Sequence, residues 1–205
     1  MFTNRVQSAG TGFDNLPAFC FVALDERPDS FQNFFLALLE VRLPLRKIVR
    51  KDYDFDVYGT DVSASGLNLA RKWLAEKKLR AHLKKSSCYR RLPFKDGFFD
   101  AVISTNVIHH NYHDKIRFCI SEIERVMKPG GIVFVSVVAN RARIWSKEFK
   151  LAKPRTYIAL DGNEKGLPHF IYNKALLRKD FKHFKILKLY MNERVHHCLL
   201  GKLKI

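Results

Sequence analysis

The sequence predicts an α/β fold in which a doubly wound, mostly parallel sheet ends in a C-terminal antiparallel hairpin. Two observations carry this prediction. Between residues 54 and 139, apolar strands alternate with amphipathic helices, which is the order typical of a parallel sheet covered on both faces. Near the C-terminus, Lys185–Met191 and Val195–Leu200 flank a turn at Asn192-Glu193, as two antiparallel strands do. The chain of 205 residues is therefore expected to be one Rossmann-like domain.

The first strand and helix of this middle region have clear boundaries. Phe55–Thr60 reads as a short apolar strand that closes at Asp61. Ser63 is suited to cap the helix that follows, because its hydroxyl accepts from free backbone N–H groups at a helix start. A second strand is expected at Phe99–Ser104, after the turn-rich loop Leu92–Gly97.

A second helix and a buried strand complete the pattern. Residues 114–127 place apolar side chains on one helical face, and Pro129-Gly130-Gly131 ends that helix. Ile132–Val138 is nearly continuous in β-branched and apolar residues, which is typical of a parallel strand buried on both faces. Residues 79–87 fit either a turn or a short strand. Residues 140–205 are expected to hold a loop-rich stretch, a helix capped by Asn173 and the hairpin.

The composition indicates a globular protein with an affinity for anions. Hydrophobic residues make up 47% of the chain, and 37 Lys and Arg against 20 Asp and Glu give a net charge of +17. The stretch from Arg71 to Lys95 contains ten basic residues and one acid, Glu76. Nucleic acid is therefore a candidate partner, and a generally basic surface is the alternative. No apolar run approaches the ~20 residues of a membrane span. We expect no transmembrane segment, no secretory signal and a cytoplasmic location. The four cysteines form no CxxC pair and are expected to be reduced thiols.

Three runs in the middle region occur in a particular order. They are VYGTDVS at residues 57–63, LPFKDGFFDAVI at 92–103 and ERVMKPGG at 124–131. Together they resemble the class I S-adenosylmethionine-dependent methyltransferases, in the branch called methyltransferase type 11. The resemblance covers about 85 residues, and it implies the same doubly wound fold with S-adenosylmethionine as the cofactor.

The resemblance implies a set of cofactor contacts. Asp61, with Val62 and Ser63 beside it, would bind the ribose of the cofactor, since a carboxylate offers two acceptor oxygens to a pair of hydroxyls. Without the resemblance, Asp61 reads equally well as an acid favoured by a helix N-terminus. Cys88 and Tyr89 stand where the family places its adenine contacts, and a thiol there is a weaker acceptor than the family's carboxylate. Asn106 would lie near the methyl donor.

The resemblance also places histidines in the acceptor pocket. The runs Asn106–His110 and Gly166–Phe170 imply that His110 and His169 face the substrate, and both are candidate acid–base residues because histidine titrates near neutrality. His169 reads alternatively as a loop histidine bonded to backbone. The spacing of His109, His110 and His113 also invites a zinc site, but no convincing further ligand accompanies it. We therefore predict no metal.

The family's glycine-rich first motif is missing from its usual place, which makes residues 1–53 an atypical region. Ala9–Gly12 looks like a remnant, far upstream of Asp61. A physically better placement takes Ala18–Leu24 as the buried strand, closed by Asp25, with Phe31–Val41 as the helix that follows. Either the cofactor loop is remodelled, or the N-terminal region is not a native version of the motif.

The sequence thus predicts one domain with three parts, namely residues 1–53, a cofactor-side core at 54–139 and a substrate-side region at 140–205. The function expected from the resemblance is methyl transfer from S-adenosylmethionine to a small-molecule substrate. Two alternatives stay open. One is a methyltransferase-like scaffold with impaired catalysis, and the other is a protein that binds or methylates RNA or binds DNA.

Overall fold

The computed structural model describes residues 18–22, 56–76, 78, 80–140, 148–192 and 195–205 of the chain. The strands within these residues are β1 (Ala18–Val22), β2 (Asp56–Asp61), β3 (His82–Lys85), β4 (Phe99–Thr105), β5 (Met127–Val138), β6 (Phe149–Lys153), β7 (Thr156–Ala159), β8 (Pro168–Phe170), β9 (Phe184–Asn192) and β10 (His196–Leu203). The helices are α1 (Ala64–Glu76), α2 (His113–Val126) and α3 (Lys174–Asp180), with a 3₁₀ turn at Gly162–Glu164.

Seven strands form the main sheet, in the order β3-β2-β1-β4-β5-β10-β9. The first five pair in parallel, and β10 lies antiparallel to both β5 and β9. This arrangement confirms the predicted doubly wound sheet with a C-terminal antiparallel hairpin. The short strand left open at residues 79–87 is β3. None of the helices in the described part of the chain is long and apolar enough to cross a membrane.

The strand predicted at Ala18–Leu24 is confirmed over Ala18–Val22 and occupies the middle of the sheet. It pairs with β2 from Ala18 opposite Asp56 to Val22 opposite Thr60, and its other edge pairs with β4. The connections therefore reverse direction between β1 and β4, which is where doubly wound sheets bind ligands. Three other expectations, the glycine remnant Ala9–Gly12, Asp25 and the helix at Phe31–Val41, lie outside the described residues.

The core lies between α2 and the sheet. Helix α2 begins and ends within one residue of the predicted range 114–127, and it buries Ile116, Cys119, Ile120, Ile123 and Val126. These residues pack with the buried side chains of β4 and β5 in one hydrophobic cluster. A fully buried aliphatic side chain stabilises the fold by about 1.5–3 kcal/mol through its removal from water. The helix face thus fixes the position of both central strands.

The Pro129-Gly130-Gly131 segment lies inside β5, which follows α2 without a loop. The helix stops at Val126, one residue before its predicted end, and the strand begins at Met127 rather than at Ile132. Its register against β4 is interrupted there. A side chain at Gly131 would place a Cβ 2.9 Å from the carbonyl oxygen of Lys128, so this crowded bend requires glycine.

The stretch that the sequence analysis described as loop-rich contains a second sheet. Strands β6, β7 and β8 pair antiparallel to one another. The amide of Phe170 in β8 donates to the carbonyl of His109 over 2.8 Å, and that of Tyr172 donates to Val138 over 3.0 Å. These bonds hold the small sheet at the carboxyl ends of β4 and β5. Helix α3 is capped by Asn173, as predicted. The apolar spacing of Leu177, Phe181 and Phe184 predicts that this helix reaches Phe184, but α3 ends at Asp180 and Phe184 begins β9.

Candidate functional site

Asp61 ends β2 at the carboxyl edge of the sheet, one strand away from the reversal between β1 and β4. Its side chain is buried, and its Oδ1 accepts a hydrogen bond of 2.8 Å from the amide of Ser63. The Ser63 hydroxyl accepts in turn from the amide of Gly66 over 3.1 Å, so it caps α1 as the sequence predicts. The carboxylate is therefore held in one orientation by the start of the helix.

Gly66 is a residue of this site that the sequence analysis missed. A Cβ at position 66 would lie 2.8 Å from Oδ2 of Asp61 and 3.3 Å from its Cγ. Only a glycine lets the first turn of α1 pass this close to the carboxylate without displacing it. The signal in the sequence was a glycine early in a helix, where it costs about 1 kcal/mol relative to alanine.

Asn106 directly follows β4 and has a left-handed backbone with φ of 57°. Its amide donates to both Oγ and the carbonyl oxygen of Ser136, at 3.1 and 3.0 Å. The Ser136 hydroxyl donates to Oδ1 of Asn106 over 2.9 Å. Left-handed backbone costs a non-glycine residue about 1–2 kcal/mol, least for asparagine and aspartate. The end of β4 is thus held against β5 in a sharp turn that leaves Asn106 exposed.

Cys88 and Tyr89, the expected adenine contacts, are packed inwards. The Cys88 side chain is fully buried in the main core. Burial first, and then the neighbouring Cys119, raise its thiol pKa well above the usual value. The Tyr89 hydroxyl donates to the carbonyl of Val107 over 3.1 Å, and its amide donates to Ser87 Oγ over 3.2 Å. Val62 is half-buried against the same core.

His110 and His169 are far apart in sequence and adjacent in the structure. Their ring centroids are 4.8 Å apart in an edge-to-face arrangement, and the His109 ring lies 4.1 Å from that of His110. All three side chains are buried. Burial is the main reason that the pKa of His109 lies well below its ordinary value, and the charges of His110 and His169 add to the effect.

Glu164, which sequence reasoning missed, joins this group from the 3₁₀ turn. Its Oε2 lies 3.0 Å from Nε2 of His169, and both side chains are almost fully buried. His113, considered with His109 and His110 as a zinc ligand, points elsewhere. It pairs with Asp180 over 2.7 Å and stacks on Phe170 with ring centroids 4.4 Å apart.

Arg125 links two of the sequence runs, those at residues 92–103 and 124–131. Its guanidinium donates to the carbonyl oxygens of Phe94 and Leu92 at 2.9 and 3.1 Å, and it pairs with Glu122 at 2.7 Å. Glu122 in turn accepts from the amide of Leu92 over 2.7 Å. The hydrogen bonds from Arg125 lower the pKa of the buried Glu122 carboxyl. The run at 124–131 therefore anchors the loop at 92–97.

The sheet order, the acid closing β2 and the turn after β4 define the class I S-adenosylmethionine-dependent methyltransferase fold. Comparison with known proteins agrees with this class. A family model described as a methyltransferase domain, of type 11, matches residues 44–135. Over these residues, which make up just under half of the chain, the protein is similar to the type 11 branch of the class I S-adenosylmethionine-dependent methyltransferases. The matched segment begins after β1, and no glycine occurs between Gly12 and Gly59, so the glycine-rich first motif of the family is degenerate or missing.

Solved structures share the fold at low sequence identity. The chain resembles a structure described as S-adenosylmethionine-dependent methyltransferases from Methanosarcina mazei, with a TM-score of 0.64, 15% identity and 93% of each chain covered. It also resembles a Burkholderia thailandensis 1,6-didemethyltoxoflavin-N1-methyltransferase, with a TM-score of 0.57, 14% identity and 93% and 72% of the two chains covered.

Among curated proteins, one relative has a named RNA substrate. The Arabidopsis thaliana tRNA (carboxymethyluridine(34)-5-O)-methyltransferase is 43% identical over 49 residues, which are 23% of this chain and 12% of that protein. The chain spans less than half the length of the curated relatives that it matches.

Proposed function

We propose that the protein binds S-adenosylmethionine at the carboxyl edge of its main sheet and transfers the methyl group to an acceptor. The observation that carries this proposal is the placement of Asp61. Its carboxylate closes β2 beside the strand reversal, oriented by Ser63 and given room by Gly66. A bound S-adenosylmethionine supplies an electrophilic methyl group on a sulfonium.

The residues of the chain fit the ribose end of this cofactor. Asp61 would accept hydrogen bonds from the two ribose hydroxyls, with Val62 and Ser63 beside them. Asn106 would lie near the methionine end, since it is exposed at the end of β4. On the adenine side the Cys88 thiol is buried in the core, so any contact from that segment would have to come from its backbone or from Tyr89.

The catalytic contribution of the chain would be mainly proximity and orientation, which in favourable cases lower a barrier by about 7–11 kcal/mol. His110 and His169 are our candidates for accepting the proton that the acceptor loses. Both are buried beside the turn after β4. That enclosed position favours a small-molecule acceptor, as does the small molecule named for the Burkholderia thailandensis structure.

Titration calorimetry with S-adenosylhomocysteine tests the cofactor proposal. We expect wild-type protein to bind, and Asp61→Asn to bind about tenfold to a hundredfold more weakly, because hydrogen bonds to a charged group contribute about 1.5–3 kcal/mol. Asp56→Asn is the matched control, since Asp56 begins the same strand at the opposite edge of the sheet. No detectable binding to wild-type protein at millimolar ligand would refute the proposal.

That negative result would favour a methyltransferase-like scaffold without catalysis. The specific observation behind this second candidate is the lack of glycine between β1 and β2, where the family's glycines let the backbone approach the cofactor. Under this reading, grafting a glycine-rich loop between β1 and β2 would create binding that the wild-type chain lacks.

RNA is the second candidate acceptor, favoured by a basic edge that we define by its exposed residues. They lie on α1, on the outer strand β3 and in the segments before and after β3, and they are Arg71, Lys72, Lys78, Arg80, Lys84, Lys85, Arg90, Arg91 and Lys95. The Arabidopsis thaliana relative is named for tRNA. Binding of tRNA should weaken steeply with salt, with a shallower slope for Lys84→Gln/Lys85→Gln. Absent or salt-independent binding would remove this candidate.

A further inference from the structure

The two candidate acid–base histidines belong to a buried cluster of possible metal ligands, although the sequence predicted no metal. We call it the histidine–glutamate cluster, and it consists of His110, Glu164 and His169. One potential ligand atom from each residue lies within 4.8 Å of the other two, and all three residues are buried. Two imidazoles and one carboxylate are a ligand set that zinc uses in proteins.

The hydrogen bonds of His169 show what this cluster requires. Its Nδ1 lies 3.0 Å from the carbonyl oxygen of Leu167, which only accepts, so Nδ1 carries a proton. In a neutral imidazole the Nε2 atom then presents a lone pair. That atom lies 3.0 Å from Oε2 of Glu164. Two acceptors therefore face each other unless a proton or a metal ion lies between them.

A metal ion between the two acceptor atoms can bind both of them at once. The rings of His110 and His109 lie beside the His169–Glu164 pair, and their nitrogen atoms are further possible ligands. A backbone carbonyl that holds the Nδ1 proton is also the usual way in which proteins orient a metal-binding histidine.

The distances allow a metal after a small adjustment. Two ligands each about 2.1 Å from a tetrahedral zinc ion are about 3.4 Å apart. The His169–Glu164 distance of 3.0 Å is already near this value. The widest separation in the cluster is at most 4.8 Å, so a movement of His110 by at most about 1.4 Å closes it.

We propose that His110, Glu164 and His169 bind one zinc ion, with a fourth position left for water or another ligand. The ion would join the segment after β4 to the 3₁₀ turn and strand β8. The neighbouring hydrogen bond from the amide of Phe170 to the carbonyl of His109 links the same two segments. Zinc binding does not require S-adenosylmethionine at Asp61, and either can occur without the other. A bound zinc ion would occupy His110 and His169, so the metal site is an alternative to the acid–base role proposed for these two residues.

The test uses untagged, chelator-treated, full-length protein titrated with Co²⁺ and with Zn²⁺. We expect one equivalent of Co²⁺ per chain and visible absorption of a four- or five-coordinate ion. We expect no thiolate-to-cobalt band, because cysteine is not among the ligands. His169→Gln and Glu164→Gln should weaken metal binding at least about a hundredfold, since one of three protein ligands is lost. Circular dichroism shows whether each variant is folded.

His183→Gln is the matched control, because His183 also pairs with a glutamate, Glu124, at 2.9 Å, but on the surface. It should bind Co²⁺ and Zn²⁺ as the wild type does. Three results would overturn the proposal: no saturable uptake by wild-type protein at about 10 µM metal, a thiolate band, or an equal loss in His183→Gln. The wild-type titration alone decides the question if a cluster variant fails to fold.

Discussion

The substitution Gly66→Ala should move the Asp61 carboxylate while leaving the stability of the protein nearly unchanged. The new methyl group would lie 2.8 Å from Oδ2 of Asp61, against an ordinary contact of 3.4 Å or more. The carboxylate must therefore move by about 0.6 Å or rotate. Alanine is about 1 kcal/mol better than glycine inside a helix. Weakening the hydrogen bond from Ser63 to Asp61 costs about 1 kcal/mol.

These two effects nearly cancel in folding but not in binding. We expect the free energy of unfolding of Gly66→Ala to stay within about 1 kcal/mol of the wild type. The dissociation constant for S-adenosylhomocysteine should rise about tenfold to a hundredfold, since a displaced carboxylate loses its bonds to the ribose hydroxyls. Urea unfolding and titration calorimetry on the same preparations measure the two quantities.

Asn68→Ala is the control, because Asn68 is exposed on the same helix. It should change neither quantity by more than about 0.5 kcal/mol. If Gly66→Ala binds S-adenosylhomocysteine as tightly as the wild type, the position of the Asp61 carboxylate does not determine affinity. The ribose contact assigned to it would then be wrong.

Three further predictions concern the loop anchor and the turn after β4. Arg125→Met should lower the free energy of unfolding in urea by about 3–5 kcal/mol, because it leaves the Glu122 carboxylate buried without its partner. Lys128→Met, the control, breaks the more exposed pair with Asp100 and should cost at most about 1 kcal/mol. Equal losses in the two variants would contradict the prediction. The lowered pKa of Glu122 contributes stability that is present above the ordinary pKa of 4.5 and is lost as the pH falls through the lower pKa of the folded state. Glu122→Gln should therefore lose stability less steeply than the wild type as the pH falls below 4.5. An unchanged slope of stability against pH would count against this prediction. In urea unfolding, Asn106→Gly should be about 1 kcal/mol more stable than Asn106→Ala, because only glycine adopts the left-handed backbone freely. Equal stabilities of the two variants would show that the turn changes its backbone conformation, which would contradict this prediction.

Much of the main sheet was predictable because its signals are local. Ile132–Val138 and Ala18–Leu24 are apolar enough to require burial on both faces, and both are central strands. Helix 114–127 shows a continuous apolar face, which fixed its boundaries within a residue. The antiparallel hairpin followed from alternation around the turn at Asn192.

The parts that were missed depend on contacts between distant segments. Strand β6 is largely exposed, so its residues show no apolar pattern. Glu164 reads as a solvated loop acid until the fold places it against His169. The adenine contact of Cys88 was predicted from the family resemblance, which does not show that the fold buries this side chain in the core together with Cys119 of α2. Local patterning contains none of these pairings.

The central claim is that the ribose of S-adenosylmethionine binds Asp61 at the carboxyl end of β2. The most direct measurement is a crystal structure of the protein with S-adenosylhomocysteine. We predict that both ribose hydroxyl oxygens lie within about 3 Å of the Asp61 carboxylate oxygens, with the ligand across the edge between β1 and β4. A ligand bound elsewhere, or with its ribose away from Asp61, would contradict the claim.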